Sequence, residues 1–238
     1  MEKPIIGVLA TTHDDIDGDF QVIANPEIIR WIYKMGGIPK IIFPPRDCSY
    51  VVNREVPPMT EEEIEDFDRL LSDCSGFIKA GGYTISDYHK YVYDYCVKND
   101  IPFLGICAGI QLMAAVSESD AKFVVNENID LHKSSTGATH AVIINPKAKL
   151  YNILDTTSMI VKSSHKRHIE NVDNLLVAAI SSDNQVEALE NPRCTYNIGL
   201  QWHPERCPFD DIYSARIFKS FVDSAIEYQK ENRERKVY

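Results

Sequence analysis

Six cysteines are scattered through the 238 residues, at positions 48, 74, 96, 107, 194 and 207, and no two stand in a CxxC spacing. That argues against a zinc ribbon and a disulfide scaffold, and reduced thiols in a cytosolic protein are the simpler expectation. Also missing is any apolar run long enough to span a bilayer. The early stretch "IIGVLA" runs straight into "TTHDDIDGD" and lacks the length and flanks of a signal peptide. A soluble, cytoplasmic protein with no membrane partner is expected. Positive charge is scarce, with 25 Lys and Arg against 35 Asp and Glu and a formal net charge of -10. The only basic clusters are "HKRH" and the tail "RERK", so nucleic acid is a poor partner. No internal repeat, low-complexity tract or Pro/Gly linker divides the chain, and its length suits one domain over residues 1–238.

The first half is an alternation of short β-branched runs and helical patterns, which predicts βαβ units wound into a parallel sheet. "IIGVLA" (5–10) opens as a strand, "PEIIRWIYKM" (26–35) suits a helix stopped by Gly36 and Gly37, and "IPKIIFP" reads as the next strand. Thr60 with Glu63 three residues on forms a capping box ahead of Ile64, Phe67, Leu70 and Leu71, in a helix ending near Cys74. "GFIKAGG" reads as a strand entering a glycine turn, Ser86 to Asn99 as a helix, and "IPFLGI" as an apolar central strand. In the second half "KFVVN", "AVIIN", "MIVKS", "LLVAAIS", "QVEALE" and "NIGLQWH" predict strands with short turns and no strong helical period between them. From Asp211 the apolar spacing suits a closing helix with a frayed, charged end. Tyr88, Tyr91, Tyr93 and Tyr95 suit packing against the sheet, with a homodimer contact as the other use.

"FLGICAGIQL" (103–112) places Cys107 between glycines where the central strand stops. A G-x-C-x-G pattern between strand and helix is the arrangement of a nucleophile elbow, with sulfur in place of serine. The helix beginning at Ala108 offers free N–H groups and partial positive charge, which favour thiolate over thiol. A small-residue contact between helix and sheet would give the same letters. What separates the two is a base held by an acid, and "GLQWHPE" (199–205) supplies His203 and Glu205. Strand alternation sends both to one side, so Glu205 can hold one imidazole nitrogen while the other faces the thiol.

"GICAGIQ" with "GLQWHPE" resembles the class I glutamine amidotransferase superfamily. The wider order of "PIIGVLA", "MGGIPKIIFP", "TEEEIEDFDRLLSDCSGFIKAGG", "THAVII", "KLYNIL", "VKSSH" and "VEALE" is similar to its peptidase C26 branch, the γ-glutamyl-GABA hydrolase-like proteins, over nearly the whole chain. The resemblance implies a Cys107–His203–Glu205 triad that hydrolyses a γ-glutamyl amide through a glutamyl thioester. It also implies an oxyanion hole from the N–H of Ala108 with one from Gly81 or Gly82, and substrate contacts from Gln111, Ser164 and His165. The fold expected is α/β, a flavodoxin-like, mostly parallel sheet with helices on both faces and an antiparallel β extension. The site should lie beyond the carboxyl ends of the strands. No metal or organic cofactor is called for, and the partner is a small γ-glutamyl substrate. Two other readings stand beside the free hydrolase: a glutaminase subunit that passes ammonia to a separate synthetase, and a catalytically silent binding protein on the same fold.

The chain also departs from that pattern. "GGYTISDYHKY" has Tyr83 and Thr84 where the branch usually carries an aspartate and a longer insertion, and "SESDAKFVVNENID" replaces a glycine-rich stretch. In "VKSSHKRH", Lys162 replaces an asparagine, and Lys166 and Arg167 replace His-Gln, adding cations near the mouth. His140 in "THAVII" is expected to support a strand end. "DDIDGD" lacks the glycine and glutamate positions of a calcium loop and is expected to be solvated. Residues that choose the amine are expected in loops 11–22, 83–90 and 126–138.

Overall fold

The computed structural model describes residues 2–14, 20–45, 58–82, 85–127, 129–133 and 137–237. Tyr83, Thr84 and most of the "DDIDGD" stretch lie outside the described residues. The parallel core is built from β1 (Ile5–Leu9), β4 (Ile38–Ile42), β5 (Gly76–Lys79), β6 (Phe103–Ile106) and β13 (Asn197–Leu200). β1 pairs in parallel with β4 and β5, β5 with β6, and β6 with β13. Taken in chain order, the five strands lie 2-1-3-4-5 across the sheet, the flavodoxin-like order.

On the far side of β13 the same sheet continues antiparallel through β12 (Val186–Glu190), β11 (Leu176–Ser181), β8 (Ala138–Ile144) and β9 (Ser158–Ser163). "NIGLQWH" therefore leaves the antiparallel excursion and closes the parallel core. Among the described residues, β2 (Thr11–Asp14) pairs with β3 (Phe20–Ile23), and β7 (Lys122–Val125) with β10 (Arg167–Glu170), as two small separate ribbons.

Alternation along the parallel strands makes two cores. Ile6 and Val8 of β1, Ile78 of β5, and Leu104 and Ile106 of β6 face one side, where α1 (Pro26–Met35), α6 (Lys149–Leu154) and α7 (Ile212–Val237) cover them. Trp31 of α1 stacks on Phe218 of α7 there, ring centroids 5.0 Å apart. Leu9, Phe77 and Phe103 face the other side, against α2 (Glu61–Leu71), α3 (Asp87–Lys98) and α4 (Ala108–Ser117). Burial on both faces is why these strands are continuously apolar. Tyr88 and Tyr93 of α3 are buried in that second core, with Tyr91 and Tyr95 packed at its edge. β8 instead alternates buried and exposed residues, with Ile143 left 54% exposed on a face that no layer of the described residues covers.

Helix ends explain which helices local sequence announces. At α1 the Asn25 side chain accepts from the N–H of Glu27, Pro26 begins the first turn, and Gly36 closes it at φ 93°. At α2 the Thr60 hydroxyl accepts from the Glu63 N–H at 3.2 Å, while the Thr60 N–H donates to the Glu63 carboxylate at 2.8 Å. α6 has no local cap. Its first N–H groups, from Lys149 and Leu150, donate to the Glu190 carboxylate at 2.9 and 2.7 Å, from about forty residues further along the chain. No helix among the described residues is long and apolar enough to cross a membrane.

Removing the Thr60 cap tests this local account. Thr60→Ala should lower stability by about 1 kcal/mol without altering activity, read as a shift of the denaturant midpoint at unchanged slope.

Candidate active site

The elements that build the site converge because the parallel strands point the same way. β1 ends at Leu9, β5 runs into Ala80 and Gly81, β6 into Cys107, and β13 into His203, and all of these residues line one cleft of about 450 Å³. Cys107 holds φ 54° and ψ -100° as the residue before α4, a conformation that costs a non-glycine residue about 1–3 kcal/mol. Its neighbours make the turn possible. A Cβ on Gly105 would stand 2.6 Å from the Gly109 carbonyl carbon, and one on Gly109 would stand 2.4 Å from the Lys79 carbonyl oxygen. Glycine at both positions lets the first turn of α4 rest directly on β5 and β6. The Cys107 N–H donates to the Leu200 carbonyl at 2.7 Å, which ties the turn to β13.

His203 is anchored separately, its N–H donating to the Lys162 carbonyl at 2.9 Å. Its Nδ1 lies 2.7 Å from Glu205 Oε1, and both side chains are buried. The path between them is not the extended strand that alternation predicts. β13 stops at Leu200, and Pro204–Arg206 forms a 3-10 turn that folds Glu205 back onto the ring. Burial alone would lower the His203 pKa, but the Glu205 carboxylate and then the Cys107 sulfur outweigh it and raise the pKa to about 9. With Nδ1 engaged by Glu205, Nε2 is the nitrogen left for Cys107. A Cβ on Gly81 would stand 3.0 Å from His203 Cε1 and 3.4 Å from Cys107 Cβ, so the backbone of Gly81 passes beside both residues.

The other residues singled out in the sequence are placed less uniformly. Gly82 and Ser164 line the cleft. Ala108 opens α4, where N–H groups lack intrahelical acceptors. Gln111 is outside the lining residues, and its amide faces Gln201 Oε1 at 3.5 Å. His165 is buried behind the wall to which Ser164 belongs, its Nε2 3.3 Å from Glu187 Oε1. His140 is directed at the same carboxylate, at 3.0 Å. Of the extra cations, Lys162 donates to the Arg206 carbonyl at 3.2 Å, and Lys162, Lys166 and Arg167 are all outside the lining residues; the cations that line the cleft are Lys133 and Arg206.

The peptidase C26 family model matches residues 86–205, half of the chain, from the start of α3 through His203 and Glu205. The chain belongs to the peptidase C26 family. It is therefore a glutamine amidotransferase-like hydrolase by descent. A Schizosaccharomyces pombe protein provisionally named a glutamine amidotransferase is 26% identical over 228 residues, covering 86% of this chain and 83% of its own length. A CTP synthase of Nautilia profundicola is 24% identical over 228 residues, covering 77% of this chain, and the match spans 41% of that longer protein. Among solved structures, the glutaminase domain of a Trypanosoma brucei CTP synthase superposes with a TM-score of 0.63 at 15% identity, covering 94% of each chain. A Thermoplasma acidophilum protein provisionally described as a GMP synthase subunit gives 0.66 at 18% identity, over 98% of this chain and 100% of that one. Both structures share the fold.

Within this peptidase C26 fold, one residue beside the cysteine carries no signal in the motif. Lys79, the last residue of β5, is fully buried, and its ammonium donates to the Ala80 carbonyl at 2.9 Å. Burial lowers its pKa to about 8, with the Cys107 sulfur pulling the other way. Nearby His89 is held neutral. Its Nδ1 accepts the Ser86 N–H at 2.9 Å, so the proton sits on Nε2 and is donated to the Ala10 carbonyl at 2.9 Å. Burial and then the Lys79 charge keep the His89 pKa well below its ordinary value. The only trace in the sequence is a lysine inside the apolar run "GFIKAGG".

A lysine whose pKa falls on folding opposes folding while it is charged. The penalty is complete below about pH 8 and is relieved as pH rises from 8 toward the ordinary 10.5, because over that range only the unfolded chain holds the proton. Lys79→Met should therefore raise stability at pH 7 by about 1–3 kcal/mol, with a gain that fades above pH 8. Chemical denaturation at pH 7 and pH 10 measures both parts.

Proposed function

We propose that the chain hydrolyses a γ-glutamyl amide bond through a glutamyl thioester on Cys107, releasing glutamate and an amine. What carries the proposal is one conjunction: a cysteine on a strained strand-to-helix turn, with a buried His203–Glu205 pair across the backbone of Gly81. Cys107 passes its proton to His203 as Sγ attacks the γ-carbonyl carbon, and the developing oxyanion is met by the Ala108 N–H with one from Gly81 or Gly82. Such a donor contributes on the order of 10²–10³ in rate. The His203 imidazolium gives its proton to the amine nitrogen as the C–N bond breaks. It then takes a proton from water as the water attacks the thioester, and glutamate leaves with the thiol restored. Glu205 holds the ring with Nδ1 turned away from the sulfur. Ser164 and the cleft cations Lys133 and Arg206 are the groups available to the α-amino and α-carboxylate ends of a glutamyl substrate.

A second reading is supported by the names of the relatives, which include a CTP synthase and a glutaminase domain of one. The leaving group would then be ammonia, passed to a separate synthetase partner.

The test is glutamate release by the isolated chain from glutamine, γ-glutamyl polyamines and other γ-glutamyl amides. Turnover without a partner is expected, with Cys107→Ala lower by about 10⁴-fold or more. Silence toward every amide until a synthetase is added would favour the ammonia-delivering reading, and silence in both conditions would sink the two together.

The pH profile supplies an independent check. Because His203 keeps its proton to about pH 9, kcat/KM should fall as pH rises through about 9, where the acid for the leaving amine is lost. Glu205→Gln removes the charge that raises this pKa. Its falling limb should move toward the ordinary histidine range, with a rate loss of roughly 10³–10⁴-fold.

A further inference from the structure

Behind the cleft wall lies a second buried cluster that the chemistry at Cys107 does not use. His132 ends the short helix α5 (Ile129–His132), His140 lies in β8, His165 follows β9, and Glu187 lies in β12. All four are buried, and three imidazole nitrogens converge on one carboxylate oxygen. His140 Nε2 is 3.0 Å from Glu187 Oε1, and His132 Nδ1 and His165 Nε2 are each 3.3 Å from it. His132 Nδ1 is also 3.1 Å from His165 Nε2.

The far side of each ring fixes what the near side carries. His132 Nε2 lies 3.1 Å from Asp183 Oδ2, which only accepts, so that nitrogen holds the ring proton. His165 Nδ1 lies 3.0 Å from the Arg167 carbonyl oxygen, which again only accepts. The Asn126 amide nitrogen, 3.3 Å from that Nδ1, has the His165 carbonyl as an acceptor at the same distance. In neutral rings the inward atoms, His132 Nδ1 and His165 Nε2, are then bare lone pairs facing each other and a carboxylate oxygen. One extra proton on His132 Nδ1 would still leave the His165 Nε2 lone pair facing Glu187 Oε1. Proton sharing is also poorly aligned: both Glu187 oxygens and both His140 nitrogens have no hydrogen-bond partner of good geometry among the described residues, despite the short separations.

We propose that His132, His140 and Glu187, with His165 as a further donor, form a site for a divalent transition-metal ion of the zinc class. Donors bonded to such an ion at about 2.0–2.1 Å in a tetrahedron stand roughly 3.3 Å apart, which is the scale of the contacts here. The donor atoms of His132, His140 and Glu187 all lie within 4.8 Å of one another, within reach of one ion after small side-chain movements. Imidazoles with one carboxylate suit a borderline metal and fall short of the oxygen count that calcium or magnesium requires. The Asp183 carboxylate on His132 and the Arg167 carbonyl on His165 are the outer partners that orient metal-binding imidazoles. The ligands come from α5, β8, the segment after β9, and β12, so the ion ties together the wall that presents Lys133 and Ser164 to the cleft.

Because Cys107 and His203 are themselves potential ligands, the test uses Cys107→Ala protein, dialysed against a chelator and titrated with Zn²⁺ and with Co²⁺. One equivalent bound per chain, a raised thermal midpoint, and the visible absorption of four-coordinate cobalt without a thiolate charge-transfer band are expected. This spectrum needs no change in the cluster itself. Asp183→Asn, which leaves every inner ligand in place, should weaken binding by about 10- to 100-fold, and Glu187→Gln should abolish it. No uptake by the dialysed chain would overturn the proposal, as a network held by protons alone requires. A cobalt spectrum showing sulfur ligation, or binding unchanged in both Asp183→Asn and Glu187→Gln, would overturn it as well.

Discussion

The structure depends on one tight turn. Cys107 occupies a backbone conformation unfavourable for any residue with a Cβ, and it persists because both sides of the turn are fixed by contacts that allow no alternative. Gly105 and Gly109 bring the start of α4 against β5 and β6 at a distance no other residue permits. The Cys107 N–H is bonded to β13. The strain is thus held by β5, β6 and β13, three neighbouring parallel strands whose residues are all buried. His203 is held by a different anchor, the end of β9. Parallel and antiparallel halves of one sheet meet at the sulfur, one supplying Cys107 and the other steadying His203.

What was legible in the sequence follows from how local each cause is. α1 and α2 carry their caps within a few residues, so Asn25, Pro26, Thr60 and Glu63 announce them. α6 is capped by Glu190, so "KLYNIL" gives no local sign of where a helix begins. The pair in "QWHPE" was visible as chemistry but not as geometry. Alternation puts residues 203 and 205 on one side of a strand, whereas a 3-10 turn at Pro204 brings them together. Ser164 and His165 are adjacent in sequence, yet one lines the cleft and the other is buried among histidines. That division follows from the chain turning between β9 and β10, which no periodicity encodes.

The two features with least trace in the sequence are both buried and charged. Lys79 is concealed because one lysine in an apolar strand looks like a strand end, and only the packing of α4 over it shows that it has no route to water. The cluster around Glu187 is concealed more deeply, since its members lie at 132, 140, 165 and 187 on four elements and meet only after the antiparallel half has folded. Neither feature has a spacing that a motif could record.

Together they indicate how charge is distributed in this fold. A net charge of -10 is carried mostly by exposed carboxylates, where water and salt screen it and it does little to set the site's chemistry. The interior instead pairs few charges at short range: Glu205 with His203, Lys79 beside Cys107, and Glu187 facing three imidazoles. Glu205 and Glu187 face imidazole nitrogens, Glu190 accepts backbone N–H groups, and Lys79 has a carbonyl oxygen and the Cys107 sulfur, so burial does not leave these charges uncompensated. Cys107 and His203 adjoin the first of these groups directly. Glu187 acts through the wall, since moving His132 or His165 would move Lys133 or Ser164 with it. The shape of the cleft and the surroundings of the sulfur are therefore set by separate buried charges, and a change at one can alter what the cleft admits without altering what the sulfur faces.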